Sequence, residues 1–168
     1  AHANDDFSKS KAISELTDWN IYSPVWAPVS LDGQWLKLQD KDPFDYAKVE
    51  RKIPASKELK VSFDLQAGQN DKGTLQIEFL DENGIACSRL ELTQDGVFRA
   101  KGGSRFANMM KYEAGKTYHV EAVLSTADRN IQVYVDGKRV GLRMFYAPVA
   151  SIERIAFRTG MPRTFPTV

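Results

Sequence analysis

Glu78 and Glu91 are the first residues to weigh for chemistry. Hydrolysis of a glycosidic bond needs two carboxyl groups about 5 to 9.5 Å apart, and each of these glutamates stands in an alternating run that would carry it to the polar side of a strand. A polysaccharide lyase needs a Tyr or His base beside a cation that neutralises the uronate. Tyr118 and His119 are adjacent, so they point to opposite faces of a strand, and only His119 could work with Tyr134 or Arg89. Asp40, Asp42 and Asp45 gather three carboxylates within six residues, hard oxygen donors that make them candidate calcium ligands. Their spacing is not that of an Asp-x-Asp-x-Asp-Gly loop, and a turn in which Asp side chains accept their own backbone N–H groups explains them equally. One cysteine, Cys87, and two histidines are too few for a zinc cage, and no Gly-rich phosphate loop precedes a helix. Arg99, Lys101, Arg105 and Lys111, interleaved with Phe98 and Phe106, form a basic cluster suited to an anionic glycan.

The whole chain narrows these options. Its 168 residues suffice for one domain with a core built without disulfides or metals. Lys+Arg number 23 against 22 Asp+Glu, a formal charge of +1, so no global basic field draws the chain to nucleic acid or an anionic membrane. Neither is expected as a partner, and no cofactor is expected. No apolar run approaches the roughly 20 residues that span a bilayer, and the N-terminus lacks the basic-then-apolar order of a signal peptide. The extended ends read as those of a domain cut from a longer protein, with export left open.

The elements that must position the polar residues read as short strands. Residues 1–33 form an irregular arm whose aromatics Trp19, Tyr22 and Trp26 either pin it to the flank of a sheet or offer a stacking platform to a sugar ring. From residue 34 the period becomes two. Strands are expected over 35–39, 46–52, 59–66, 75–79, 89–93 and 97–99, with a shorter one over 106–112. Pro54 is expected to close the second, and 59–66 is expected to lie beside 75–79 across the turn at 68–73. Residues 118–124 and 131–135 follow, the latter ending in Asp136-Gly137, a strong hairpin signal. A last strand, 151–159, sets Ile155 and Phe157 inward and Arg154 and Arg158 outward. Nine to eleven short strands with almost no helix describe an all-β, antiparallel two-sheet sandwich over residues 34–160, with 161–168 as the start of a linker.

The run Gly115-Lys116-Thr117-Tyr118-His119-Val120-Glu121-Ala122-Val123, followed by Ile131-Gln132-Val133-Tyr134-Val135-Asp136-Gly137-Lys138-Arg139-Val140, resembles the strand pair of concanavalin A-like lectin/glucanase domains, including laminin G-like modules. That resemblance implies a jelly-roll sandwich. Residues 35–51 with Phe157-Arg158-Thr159-Gly160 are also similar to accessory domains attached to bacterial polysaccharide-degrading enzymes. Glucanases of this fold carry Glu-x-Asp-x-x-Glu on one strand. The nearest stretch here, Ile77-Glu78-Phe79-Leu80-Asp81-Glu82, lacks that spacing, which counts against hydrolysis. Arg89-Leu90-Glu91-Leu92 is similar to the Arg-x-Glu-Leu strand of jelly-roll alginate lyases, but their Gln-x-His partner is absent.

Alternation therefore predicts a polar groove on the concave sheet lined by Gln76, Glu78, Arg89, Glu91, His119, Glu121, Gln132, Tyr134 and Arg158. Such groups suit the hydroxyls and ring faces of a carbohydrate. The expectation is a non-catalytic carbohydrate-binding or accessory domain of a larger secreted or periplasmic protein, with an oligo- or polysaccharide as ligand and a catalytic domain as neighbour. The alternatives are a glycoside hydrolase or polysaccharide lyase of the same fold, and a structural or protein-binding sandwich with no glycan.

Overall fold

The computed structural model describes residues 3–42 and 44–160. Two 3₁₀ turns (Phe7–Lys9 and Ile13–Glu15) lead into thirteen strands among the described residues: β1 Trp19–Tyr22, β2 Val29–Asp32, β3 Trp35–Leu38, β4 Lys48–Ser56, β5 Glu58–Gln66, β6 Leu75–Leu80, β7 Ala86–Leu92, β8 Val97–Gly102, β9 Arg105–Lys111, β10 Thr117–Ser125, β11 Asn130–Val135, β12 Lys138–Met144 and β13 Ile152–Thr159. Seven form one antiparallel sheet in the order β1-β4-β13-β6-β7-β8-β9, and four form a second in the order β12-β11-β10-β5. Strands β2 and β3 make a separate hairpin.

The main core lies between the two large sheets. Ile77, Phe79, Leu90, Leu92, Phe98 and Ala100 come from one side; Val120, Ala122, Leu124, Ile131, Val133 and Val135 come from the other, all nearly or fully excluded from solvent. Burying each of the larger of these side chains, Val, Leu, Ile and Phe, stabilises the fold by about 1.5–3 kcal/mol, which is why alternation decides which half of every strand meets water. The β10–β11–β12 succession is held by a two-residue turn in which Asp136 (φ 51°) and Gly137 (φ 84°) both adopt left-handed backbone, the geometry that makes Asp-Gly a hairpin turn. Gly96 (φ 77°) does the same service in the β7–β8 loop, where Thr93 and Val97 close the turn through Thr93 N–H to Val97 O at 2.9 Å.

Three local expectations need correction. First, the sandwich starts before residue 34. Trp19–Tyr22 pairs with Arg51–Lys48 as β1, because Trp19 packs against Phe7 and Phe157 and draws this segment onto the sheet. Together with the β2–β3 hairpin it builds a second small core around Ala27, Val29, Ala47 and Val49, with Phe157 shared between the two cores. Second, β4 continues through Pro54. Its pairing with β1 ends at Arg51, and on the other side Pro54 lies opposite the irregularity between Ile152 and Arg154, so the missing N–H leaves no gap in a regular ladder. Third, β5 and β6 are not neighbours: β5 pairs with β10, while β6 lies between β13 and β7, so the turn after Gln66 crosses from one sheet to the other. The linker expected at 161–168 lies outside the described residues.

Cys87 is wholly buried, and burial pushes its thiol up to about 12. Only about one thiol in ten thousand would then be ionised at pH 8. Labelling of the native protein with a chromogenic disulfide reagent at that pH is expected to run at least ~100-fold slower than in denaturant, where the thiol regains its ordinary acidity. Comparable rates in both states would show that the strand opens freely.

Candidate functional site

On the side of the seven-stranded sheet that faces away from the core, strand register lines up a continuous polar row. Tyr22 of β1 pairs with Lys48 of β4, Lys48 with Arg158 of β13, Arg158 with Gln76 of β6, Gln76 with Glu91 of β7, Glu91 with Arg99 of β8, and Arg99 with Asn108 of β9. One residue from every strand of the sheet therefore stands abreast. Two residues along, Asn20, Glu50, Ala156, Glu78 and Arg89 stand abreast across β1, β4, β13, β6 and β7, Lys101 pairs with Phe106 on β8 and β9, and Arg89 and Lys101 both approach the Tyr146 ring. At about 4.8 Å between strands, the first row forms a strip of hydrogen-bonding groups long enough for several sugar rings.

The charges on this face are organised in pairs. Glu50, Glu78 and Glu91 are 8%, 8% and 6% exposed although they point away from the core, because basic and aromatic side chains close over them. Arg89 donates from Nε (3.2 Å) and Nη2 (2.8 Å) to Glu78 Oε2. Arg99 donates from Nε (3.0 Å) and Nη2 (2.5 Å) to Glu91 Oε1, and Gln76 Nε2 donates to Glu91 Oε2 at 3.1 Å. Glu50 receives Arg154 at 3.1 Å and lies 3.6 Å from Lys48. Burial alone would lower the Arg89 guanidinium, but the hydrogen bond and charge of Glu78 outweigh it and raise it. Every glutamate is thus neutralised and fixed in place.

The cations outnumber the acids. Lys48, Arg89, Arg99, Lys101, Arg154 and Arg158 face three glutamates, an excess of three positive charges, and Arg158 and Lys101 form no ion pair among the described residues. Both lie on aromatic rings instead. The Arg158 guanidinium sits 4.4 Å from the Tyr46 ring centroid, and Lys101 Nζ sits 4.4 Å from that of Tyr146. Stacking fixes a cation without neutralising it, so its charge remains available to an anion. Arg158 Nε and the Tyr146 hydroxyl are buried polar atoms with no hydrogen-bond partner among the described residues. Burial raises the Tyr146 phenol, with Arg89 pulling against it and Glu78 adding to it, so the hydroxyl keeps its proton and can donate.

The nine residues expected in one groove fall on two faces. Gln76, Glu78, Arg89, Glu91 and Arg158 share the seven-stranded face just described. His119, Glu121, Gln132 and Tyr134 lie on β10 and β11, on the outer side of the four-stranded sheet across the core from the others. There His119 Nδ1 meets Asp64 Oδ1 at 2.8 Å, Lys60 meets Glu121 at 3.6 Å, and Gln132 Oε1 accepts from Tyr134 Oη at 3.1 Å and Arg139 at 3.4 Å. These are open cross-strand pairs of the kind that contribute a few tenths of a kcal/mol to roughly 1 kcal/mol each. His119 cannot cooperate with Arg89, since the core lies between them.

The three candidate calcium ligands are engaged as hydrogen-bond acceptors within the protein. Asp40 Oδ1 accepts from Asp42 N–H (2.8 Å) and its Oδ2 from Thr159 Oγ1 (2.8 Å). Asp42 Oδ1 accepts from Phe44 N–H (2.8 Å), and Asp45 accepts from Tyr46 N–H (2.9 Å) and Tyr22 Oη (3.0 Å). Burial pushes the Asp40 carboxyl up despite those hydrogen bonds, and the described residues hold no group of three His, Cys, Asp or Glu able to take a metal. Of the basic cluster, Arg99 and Lys101 join the polar face, Phe106 lies under Arg99 at 4.1 Å, and Phe98 is core. Lys48, Glu50 and Arg154 escaped the sequence reading of the groove, although alternation from Arg158 could have found Arg154. Tyr46, expected as the first residue of a strand over 46–52, precedes β4, and Tyr146 follows β12; neither was expected at the groove.

No curated protein sequence matches the chain. Among solved structures it is similar to a sialidase, with 89% identity and a TM-score of 0.95; the match covers 100% of this chain and 16% of the sialidase, so the chain spans about a sixth of that protein's length. A Crh5 transglycosylase (10% identity, TM-score 0.71, 92% of this chain and 67% of that one) and a Bacillus licheniformis β-glucanase (8% identity, TM-score 0.61, 92% and 82%) share its fold. These likenesses bear out the concanavalin A-like jelly roll that the hairpin resemblance implied. A family model described as "Sialidase-like, CBM domain", for a carbohydrate-binding module, matches residues 19–168. With that match spanning nearly the whole chain, this protein belongs to the sialidase-like, CBM domain family.

Proposed function

We propose that the polar face of the seven-stranded sheet binds an acidic glycan without transforming it, as the accessory module of a longer carbohydrate-active protein. The observation that carries this is the full-width row from Tyr22 to Asn108, in which Arg158 is a stacked cation with no acidic partner among the described residues. A carboxylated sugar supplies the missing charge, and its hydroxyls find Gln76 and Asn108. The name of the sialidase that the chain resembles directs attention to sialylated glycans among acidic ones. Such glycans are found outside the cytoplasm, which favours a secreted or periplasmic protein.

Two features favour binding over turnover. A general acid must hold a proton and a general base must be free to take one, whereas Glu78 and Glu91 are each engaged by an arginine in two hydrogen bonds. Tyr146 stands on this face beside two cations, Arg89 and Lys101, and its phenol is raised, opposite to what a lyase base needs.

Calorimetric titration with a sialylated oligosaccharide and with its desialylated counterpart tests the reading. Affinity for the sialylated chain is expected to be at least ~10-fold higher and to fall with added salt as the charge is screened, with no sugar released on prolonged incubation. Equal affinity for both chains, or release of free sialic acid, would overturn it.

A further inference from the structure

The row does not stop at its last cation. Tyr22 ends it, and the Tyr22 ring lies 5.1 Å from that of Tyr46, which in turn carries the Arg158 guanidinium. Just beyond stand two exposed aromatics, Trp26 (66% exposed) and Phe44 (71% exposed). A tryptophan left in water forgoes the stabilisation of burial, and Trp26 stays exposed on a loop whose backbone is fixed. The loop after β1 is tied back by Ser23 Oγ, which accepts from Val29 N–H at 2.8 Å, and by Ala27 N–H to Pro24 O at 3.1 Å. It is joined to the loop before β4 by Lys41 N–H to Trp26 O (2.7 Å), Gln39 N–H to Pro28 O (3.0 Å) and Tyr22 Oη to Asp45 (3.0 Å). Trp26 and Phe44 are therefore carried by two cross-linked loops next to the row.

We infer that this rim, Tyr22 with Trp26 and Phe44, is a stacking subsite for an uncharged sugar ring adjoining the acidic residue held at Arg158; the inference rests on the glycan reading above. The charge pattern chooses the occupant. The rim carries Asp40, Asp42 and Asp45 against Lys41 alone, so it repels a second carboxylate, while the row beside it has an excess of cations. The apolar face of a pyranose lies on an aromatic ring much as other flat apolar groups do, and its hydroxyls meet the aspartates as acceptors. Continuity from Arg158 through Tyr46 to Tyr22 lets one glycan chain occupy both parts. The ligand class is thus an oligosaccharide with an acidic end and a neutral ring next to it, read from two sides at once.

The test compares Trp26→Ala with the wild-type protein by calorimetry, using two probes: a methyl sialoside, which reaches only the row, and a sialylated trisaccharide, which reaches both. Trp26→Ala is expected to weaken the trisaccharide at least ~10-fold, as removal of an aromatic anchor does, and to leave the monosaccharide within about twofold. Trp26→Phe, which keeps a ring, is expected to recover most of the loss. Equal effects on both probes, or no effect on the trisaccharide, would overturn the rim. If the wild-type protein binds neither probe, the glycan reading itself fails and the rim with it. Arg158→Ala separates these cases, since it should weaken both probes where the Trp26 variant weakens one.

Discussion

Arg158→Ala is expected to reduce affinity for a sialylated oligosaccharide by about 10- to 100-fold while the protein remains folded. Hydrogen bonds to charged groups contribute about 1.5–3 kcal/mol, and 1.4 kcal/mol is tenfold in affinity. The whole of that effect falls on the ligand, because Arg158 forms no ion pair with a carboxylate among the described residues, and its guanidinium rests on the Tyr46 ring. Removing it leaves no buried acid unpaired, so the melting temperature should move little. Arg158→Lys keeps the charge but loses the planar fork and the stacked geometry, and is expected to recover only part of the affinity. Titration calorimetry at low and moderate salt measures both. An unchanged affinity in Arg158→Ala would remove the residue on which the proposed function depends.

The second large effect falls on stability. Glu91 is 6% exposed and receives three hydrogen bonds, two from Arg99 and one from Gln76. Glu91→Ala removes the acceptor of all three at once, leaving the Arg99 guanidinium, whose side chain is 33% exposed, partly buried without its partner. Breaking a buried pair from one side costs about 3–5 kcal/mol; with Arg99 partly open to water, about 2–4 kcal/mol is expected in urea unfolding. Glu91→Gln keeps an acceptor and should lose less. Because Glu91 joins β6 to β8 across β7, its loss should also weaken glycan binding more than its own contact would require. A variant as stable as the wild type would mean that the row is an ordinary solvated surface.

The strands and their inward halves were legible because burial imposes a period of two. Leu75, Ile77 and Phe79 against Gln76 and Glu78 fix β6 without reference to anything distant. The turn at Asp136-Gly137 was legible because two successive left-handed residues restrict the choice of side chain. Sheet membership was not, since alternation says which side of a strand is polar and nothing about which strands share a sheet. That is why His119, Glu121, Gln132 and Tyr134 were grouped with Gln76 and Arg158 although the core separates them. The connection from β5 to β6 has the composition of a hairpin loop, yet it changes sheets, and only the pairing of β5 with β10 reveals it. The contacts of Tyr46 and Tyr146 were hidden for another reason: both residues reach the face from outside the strands, and their contacts with Arg158 and Lys101 join residues about a hundred and ten and about forty-five positions apart in the chain.

The two polar faces of the sandwich give the most direct test. Backbone amide chemical shifts of isotope-labelled protein, followed by nuclear magnetic resonance as a sialylated oligosaccharide is added, locate the ligand without any substitution. Binding on the seven-stranded face predicts saturating shifts at Gln76, Glu91, Arg99 and Arg158, with the amides of His119, Glu121, Gln132 and Tyr134 unmoved. Shifts concentrated at those last four residues, with the row from Tyr22 to Asn108 silent, would contradict it.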